Sequence, residues 1–282
     1  MIKVAFQGER GAYSEEAALK HFGNSVETVP CKTLTDVFQS LEEDKVDFAI
    51  VPVENSIQGS VGQAYDLLLK YDLKACGEVF HRIRHCLISF PDNDLESIKK
   101  VYSHPQALGQ SRVFLEKLKV EIVPFYDTAG SVKMIKEKSL KDSAGIASKT
   151  AAKIYGMKVL AEGIETNHQN YTRFLILSKK ESEPTGSDKT SIIFTTKHDP
   201  GTLYKSLGIF SHGNINLTKI ESRPILGRPW EYSFFVDFEG HHEDKIIKET
   251  LEILKHNSLF MKVIGSYPKA KENFGRGNKN ET

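Results

Sequence analysis

The alternation of short apolar runs with helical patterns predicts an α/β protein in two parts. Over residues 1–180 strands and helices take turns, which implies a largely parallel sheet covered by helices on both faces. Glu181 to Lys189 is polar, carries Pro184 and Gly186, and reads as a linker. Residues 190–268 then follow a βαββαβ order, the ferredoxin-like arrangement.

Ile2 to Phe6 is a short apolar strand, and Ser14 can cap a helix from Glu15 to Phe22 with two acids in its first turn. Leu34, Val37, Phe38 and Leu41 mark a helix over Thr33 to Glu42. Asp47 to Val53 is a buried strand. Glu78 to Phe90 is a long strand that crosses between two lobes. Val101-Tyr102 leads into a turn where Pro105 suits a first helical turn, and Leu108, Ser111, Leu115 and Leu118 mark the helix face that follows. Glu121 to Phe125 is a strand, followed by a helix to about Lys138. Ala144 to Ala147 is a strand, and Thr150 to Tyr155 a helix closed by Gly156. Lys158 to Ile164 and Thr172 to Leu177 complete the first part. In the second, strands over Thr190 to Thr196, Asn216 to Ser222, Trp230 to Glu239 and Phe260 to Tyr267 enclose helices over Gly201 to Ser211 and Glu243 to His256. Lys269 to Thr282 is polar and reads as a disordered tail.

A net charge of +1 over 282 residues gives no reason to expect nucleic acid or an acidic membrane surface as a partner. No apolar run is long enough to span a bilayer. The start, Met1 to Phe6, reads directly into a strand without a signal-peptide shape. Cys31, Cys76 and Cys86 are odd in number and widely spaced, so neither a disulfide framework nor a zinc pattern is expected. Buried, unreactive thiols in a reducing cytoplasm are the expectation. His81 and His85 share a strand face but lack a third metal ligand, and Gly8-x-x-Gly11 lacks dinucleotide spacing; no metal or cofactor is expected.

Three polar turns end apolar runs: Val53-Glu54-Asn55-Ser56, Ser103-His104-Pro105-Gln106 and Asp127-Thr128-Ala129-Gly130-Ser131. Ligands of open α/β sheets sit at the carboxyl ends of strands. Turns of this kind aim backbone N–H groups and hydroxyls at one point, which suits a small polyanion. With Gly8-x-x-Gly11-Ala12-Tyr13-Ser14-Glu15, Gln110 and Asn170-x-Thr172-Arg173-Phe174, these segments resemble the successive motifs of prephenate dehydratases. Pro200-Gly201-Thr202-Leu203 and Glu221-Ser222-Arg223-Pro224 resemble the ACT regulatory domain fused to them. The family motif often reads Gly-Ala-Leu where this chain has Gly201-Thr202-Leu203.

The resemblance implies a two-lobed catalytic region similar to type-2 periplasmic binding proteins, with the active site between the lobes. It implies conversion of prephenate to phenylpyruvate, with Thr172 as catalytic donor to the departing oxygen. Asn55, Ser56, Ser103, Gln110, Thr128, Arg173 and Phe174 become substrate-binding candidates, although plain helix capping would also explain the Ser, Thr and Asn residues. Arg173 is equally readable as a structural ion-pair partner, and His104 as a structural hydrogen-bond partner. Gly201, Thr202, Leu203, Asn214, Asn216, Leu217, Glu221, Ser222, Arg223 and Pro224 become candidates for binding L-phenylalanine between paired domains, which implies a homodimer or homotetramer. Glu221 to Pro224 is also readable as a β-turn. No helical segment precedes Met1, so the chorismate mutase half of bifunctional relatives is expected to be absent. Arogenate dehydratase, and a non-catalytic carboxylate or amino-acid sensor on the same fold, are the alternatives.

Overall fold

The computed structural model describes residues 1–225 and 227–271, and the chain falls into two compact units. Most of the expected tail, 272–282, lies outside the described residues. Met1–Asp72 and His81–Lys179 form the first unit; Leu73–Phe80 and the chain from Lys180 form the second.

In chain order the first unit carries β1 (Lys3–Gln7), α1 (Tyr13–Phe22), β2 (Glu27–Cys31), α2 (Leu34–Glu42), β3 (Phe48–Asn55), β4 (Gly59–Ser60) and α3 (Gly62–Lys70). β5 (Lys74–Arg82) begins in the second unit and ends in the first. Then come β6 (Cys86–Ser89), β7 (Lys100–Ser103), α4 (Pro105–Gln110), α5 (Arg112–Leu118), β8 (Glu121–Pro124), α6 (Thr128–Glu137), β9 (Ser143–Ala147), α7 (Lys149–Tyr155), β10 (Lys158–Glu162) and β11 (Tyr171–Ser178). These strands build two sheets, one per lobe. In the first lobe the order β2-β1-β3-β11 has β1 parallel to both neighbours and β11 antiparallel to β3. In the second lobe the order is β10-β6-β9-β7-β8, with β7 parallel to β8 and β9, and β6 antiparallel to β9 and β10. The region is therefore two mixed sheets rather than one largely parallel sheet. The chain passes between the lobes twice, at 83–85 and again between β10 and β11.

Local sequence explains most elements. Thr33 and Asp36 close a reciprocal capping box on α2, whose Leu34, Val37, Phe38 and Leu41 are buried at the spacing that predicted them. Gly156 ends α7 in the left-handed conformation. Ser14 does not cap α1. The N-cap is Ala12, and Glu15 accepts from the Gly11 N–H at 2.6 Å instead. The expected strand from Glu78 to Phe90 breaks into β5 and β6 because its backbone bonds turn into the crossover: Ile83 N–H donates to Asn170 O, and His85 N–H to the Glu165 carboxylate. β2 carries Pro30, which an edge strand tolerates.

The second unit carries β12 (Asp188–Thr195), α8 (Thr202–His212), β13 (Leu217–Ile225), β14 (Arg228–Glu239), α9 (Lys245–His256) and β15 (Phe260–Pro268). Its antiparallel sheet runs β13-β14-β12-β15, and the helices seal a core of Ile192, Phe194, Phe210, Val236, Phe238, Ile247, Leu251 and Leu254. This is the expected ferredoxin-like ACT fold. It starts earlier than the linker reading allowed. Asp188 accepts from Thr185 and Gly186, and Lys189 is buried against Glu78 at 3.0 Å. Residues 73–80 thus cluster with this unit although they fall within 1–180. Gly265 permits the contact: a Cβ there would lie 2.2 Å from the Ala75 carbonyl oxygen.

Candidate active site

The site grows from the pairing of β3 with β11. Thr172 faces Asn55, Arg173 faces Glu54, and Phe174 faces Pro52, so β3 carries Val53 as one extra residue. The bulge matters because side chains three apart in a regular strand point to opposite faces. Here Pro52 and Asn55 both line one cavity, together with Thr172 and Phe174. Proline, which has no N–H to offer a ladder, is tolerated at such an irregularity.

Asn55 is oriented without ambiguity. Its Oδ1 accepts from the backbone N–H groups of Ile57 (3.0 Å) and Gln58 (3.1 Å), so its Nδ2 faces the other way. That nitrogen donates to Thr172 Oγ1 at 3.0 Å and to Asn170 Oδ1 at 2.8 Å. Thr172 Oγ1 is thereby an acceptor in this pair, which leaves its proton for another partner.

The cavity has a volume of about 310 Å³, at the small end of ligand sites. It takes Gln7, Tyr13, Ser14, Leu34 and Gln63 from the first lobe and Ile83 and His85 from the crossover. His104, Gln106, Ala107, Gln110 and Thr128 come from the second. Among the described lining residues there is no Lys, Arg, Asp or Glu; hydroxyls and amides supply the polar surface. His85 and His104 are held below the ordinary imidazole pKa by burial, so both are neutral at pH 7. His104 caps α4 by accepting from Gln106 N–H at 3.3 Å, in line with its structural reading. Burial raises the Tyr13 phenol well above its usual range and keeps it protonated.

The lobes are held together beside the cavity by the Gly8 to Ala12 turn. Lys133 Nζ lies 2.9 Å from Glu9 Oε2, Tyr126 OH donates to Glu9 Oε1 at 3.0 Å, and Tyr155 OH to Arg10 O at 2.9 Å. Ser148 Oγ donates to Gly11 O at 2.6 Å. Gly11, at φ +88°, sits so close to α7 that a Cβ would meet Ala151 Cα at 2.6 Å.

Of the sequence candidates, Thr172, Asn55, Gln110, Thr128 and Phe174 come together on the cavity wall. Ser56, Ser103 and Arg173 are not among its lining residues. Ser56 ties the end of β3 to Gln169 O (2.8 Å) and Tyr171 N–H (3.0 Å). Ser103 is fully buried and donates to Ile146 O at 2.6 Å. Arg173 is buried on the strand face opposite Thr172. Sequence reading gave Tyr13 and Asn170 no role beyond their places inside the motif segments, and His85, outside those segments, a structural one. His81 pairs with Glu16 at 2.9 Å. Cys31 and Cys86 are buried, and burial pushes the Cys76 and Cys86 thiols up to about 12 and about 11.

In the ACT domain, Gly201 adopts a left-handed conformation ahead of α8, and Thr202 Oγ1 donates back to Lys197 O (2.8 Å) and Asp199 O (2.9 Å). Leu203 packs against the core. Asn214 has φ +51°, and Asn216 Nδ2 donates to Glu239 at 3.2 Å just before Leu217 opens β13. Glu221, Ser222, Arg223 and Pro224 are not a turn after a strand: β13 runs through them to Ile225, as an edge strand that can accommodate Pro224.

A two-lobed α/β region with a cavity lined by hydroxyls and amides, followed by a ferredoxin-like domain, defines the class: a small-molecule site joined to an ACT domain. The family model for prephenate dehydratase matches residues 4–182. The bifunctional chorismate mutase/prephenate dehydratase of Aquifex aeolicus is 44% identical over 95% of this chain and 74% of its own length. An arogenate dehydratase/prephenate dehydratase 2 of Arabidopsis thaliana is 42% identical over 95% of this chain and 73% of its own. The crystal structure of a prephenate dehydratase from Arthrobacter aurescens in complex with L-Phe aligns with a TM-score of 0.87 at 30% identity, covering 95% of this chain and 90% of that one. The chain belongs to the prephenate dehydratase family.

Proposed function

We propose that this chain converts prephenate to phenylpyruvate, carbon dioxide and water, with Thr172 as the donor to the departing oxygen. The observation that carries the assignment is the sense of the Asn55–Thr172 hydrogen bond, which frees the Thr172 proton on the wall of the cavity. In the reaction the bond from the ring to its carboxylate breaks, and that electron pair enters the ring. The ring–oxygen bond then breaks, and the oxygen takes up a proton to leave as water. One proton is consumed per prephenate dianion, which balances a phenylpyruvate anion, carbon dioxide and water. A threonine hydroxyl is a weak acid, so Thr172 stabilises the leaving oxygen by hydrogen bonding while the consumed proton comes from solvent.

The uncharged wall suits this chemistry. A cation beside the ring carboxylate would stabilise it where it is. Neutral donors hold it in a poorly solvated site from which departure as carbon dioxide relieves the charge. Thr128 adds a hydroxyl to the wall, while the N–H groups at the start of α6 are capped by Asp127, whose Oδ2 accepts from Gly130 N–H at 2.6 Å. Phe174, almost fully buried, keeps water from the ring. Among the described residues no acid lines the cavity, which favours the keto substrate over arogenate, whose ammonium would find no carboxylate on that wall. Release of phenylpyruvate from prephenate, set against release of phenylalanine from arogenate, tests this; a higher kcat/KM for arogenate would overturn the preference.

The ACT domain is the proposed seat of feedback inhibition by L-phenylalanine. Two copies pair through this domain into a dimer or tetramer, for which the edge strand β13 offers an open side. Coupling of about 1–3 kcal/mol would suffice. Sedimentation of the protein as a monomer at all concentrations would remove the pairing. A cytoplasmic location accords with three free cysteines whose thiols burial keeps inert.

A further inference from the structure

The hydrogen bonds around the cavity form one chain whose direction is fixed from its far end. The Ile57 and Gln58 N–H groups set Asn55, and Asn55 Nδ2 sets Asn170 by donating to its Oδ1. Asn170 Nδ2 must then donate, and it does so to Gln110 Oε1 at 2.9 Å. The same oxygen lies 2.8 Å from His85 Nε2. Because an amide oxygen can only accept, His85 carries its proton on Nε2. Its Nδ1 is left as an acceptor facing Tyr13 OH at 2.8 Å, a hydroxyl that also lies 3.0 Å from Arg84 O. The sum of these bonds is that Gln110 Oε1 is doubly held. Gln110 Nε2 is a buried side-chain nitrogen with no hydrogen-bond partner among the described residues, on a residue that lines the cavity. A buried donor without a partner is costly, and an arriving acceptor relieves that cost.

We propose that His85 and Asn170 are positioning residues for the reaction. By gripping the Gln110 amide oxygen from two sides they commit its NH2 group to a carboxylate of the bound substrate. The inference rests on the reading of Gln110 as a substrate contact. Without the two donors, the amide could turn over and present its oxygen to an anion, which repels it. His85 is buried, and burial favours its neutral form, so the ring holds its single N–H on Gln110 rather than adding charge to the site.

The test is steady-state kinetics with prephenate on matched variants of the full chain. His85→Gln keeps an N–H donor near the position of Nε2, and His85→Met has the same length without one. His85→Met is expected to lower kcat/KM by about tenfold to a hundredfold, chiefly by raising KM, the scale set by one misdirected charge-binding hydrogen bond. His85→Gln is expected to regain most of that loss. In a Gln110→Met background, His85→Met is expected to change nothing further, because its effect passes through Gln110. Equal losses for His85→Gln and His85→Met, or an undiminished His85→Met loss in the Gln110→Met background, would make His85 merely structural. If Gln110→Met itself left KM untouched, the substrate-contact reading would fall and this inference with it; a Gln110 effect without the His85 pattern sinks the inference alone. Should His85→Met not fold, Asn170→Leu withdraws the other bond to the same oxygen and carries the same comparison.

Discussion

Replacing Thr172 by valine removes one hydroxyl and keeps the shape of a side chain that is only 8% exposed. The structure says where the cost must fall. Asn55 Nδ2 loses an acceptor at 3.0 Å but keeps Asn170 Oδ1 at 2.8 Å and Tyr171 O at 3.2 Å, so no buried donor is orphaned. The fold and substrate binding should therefore change little. What disappears is the proton that Thr172, in the proposed role, offers to the departing oxygen. Loss of a positioned donor of this kind costs about 10²–10³ in kcat, or about 2.7–4 kcal/mol. The expected outcome for Thr172→Val is a fall of that size in kcat with nearly unchanged KM and melting temperature. Thr172→Ser keeps the hydroxyl and loses a methyl, at about 1 kcal/mol of stability, and should remain an active enzyme. The assay is release of phenylpyruvate from prephenate under saturating substrate. A Thr172→Val variant that turns over within a few-fold of the parent would refute the donor role. So would a Thr172→Ser variant as slow as Thr172→Val.

Three further outcomes follow from named contacts. Asn55→Asp is nearly isosteric but turns a donor into an acceptor; Thr172 then donates to the carboxylate instead of to the leaving oxygen. Its kcat should fall about as far as that of Thr172→Val, on the order of 10²-fold, and full activity would show that the hydrogen-bond sense is irrelevant. Gly11→Ala forces a Cβ against the Ala151 backbone at a positive φ. It should cost upwards of about 1–3 kcal/mol, seen as a lowered melting temperature and weakened activity, whereas an unchanged melting point would mean that the lobes do not need this approach. Finally, His21, His85, His104 and His242 all have pKa values lowered chiefly by burial. For a histidine whose folded pKa lies below the unfolded value of about 6.5, the unfolded chain takes up the proton first. The stability is thus complete above about 6.5 and is lost as pH falls below it. Melting temperature should decline on acidification through that window, less steeply in His85→Gln, and a flat profile would contradict the burial argument.

Much of this was readable from the chain because local chemistry and global fold agree. Leu34, Val37, Phe38 and Leu41 announced α2 through their periodicity. Likewise, the βαββαβ order announced the ACT domain through patterns that need no tertiary information. Motif order carried the family, and with it five residues that the fold brings to one cavity wall: Thr172, Asn55, Gln110, Thr128 and Phe174. What escaped depends on contacts between distant segments. The bulge at Val53 appears only once β3 is paired with β11, so nothing local shows that Pro52 and Asn55 share a face. Ser103 looked like a ligand donor because serine ends its strand, yet its hydroxyl is spent on Ile146 O in the next strand. His85 looked structural because its partners, Tyr13 and Gln110, lie 72 and 25 residues away. Residues 73–80 were assigned to 1–180 by position, although Glu78 finds its cation at Lys189.

The direct test is phenylpyruvate formation from prephenate by the purified full-length protein at neutral pH, with and without L-phenylalanine. Turnover that L-phenylalanine suppresses is the expected result. Turnover indifferent to L-phenylalanine would leave the active site standing and remove the regulatory role of the Gly201 to Leu203 segment. Folded protein that binds prephenate and never releases phenylpyruvate would contradict the enzymatic assignment itself.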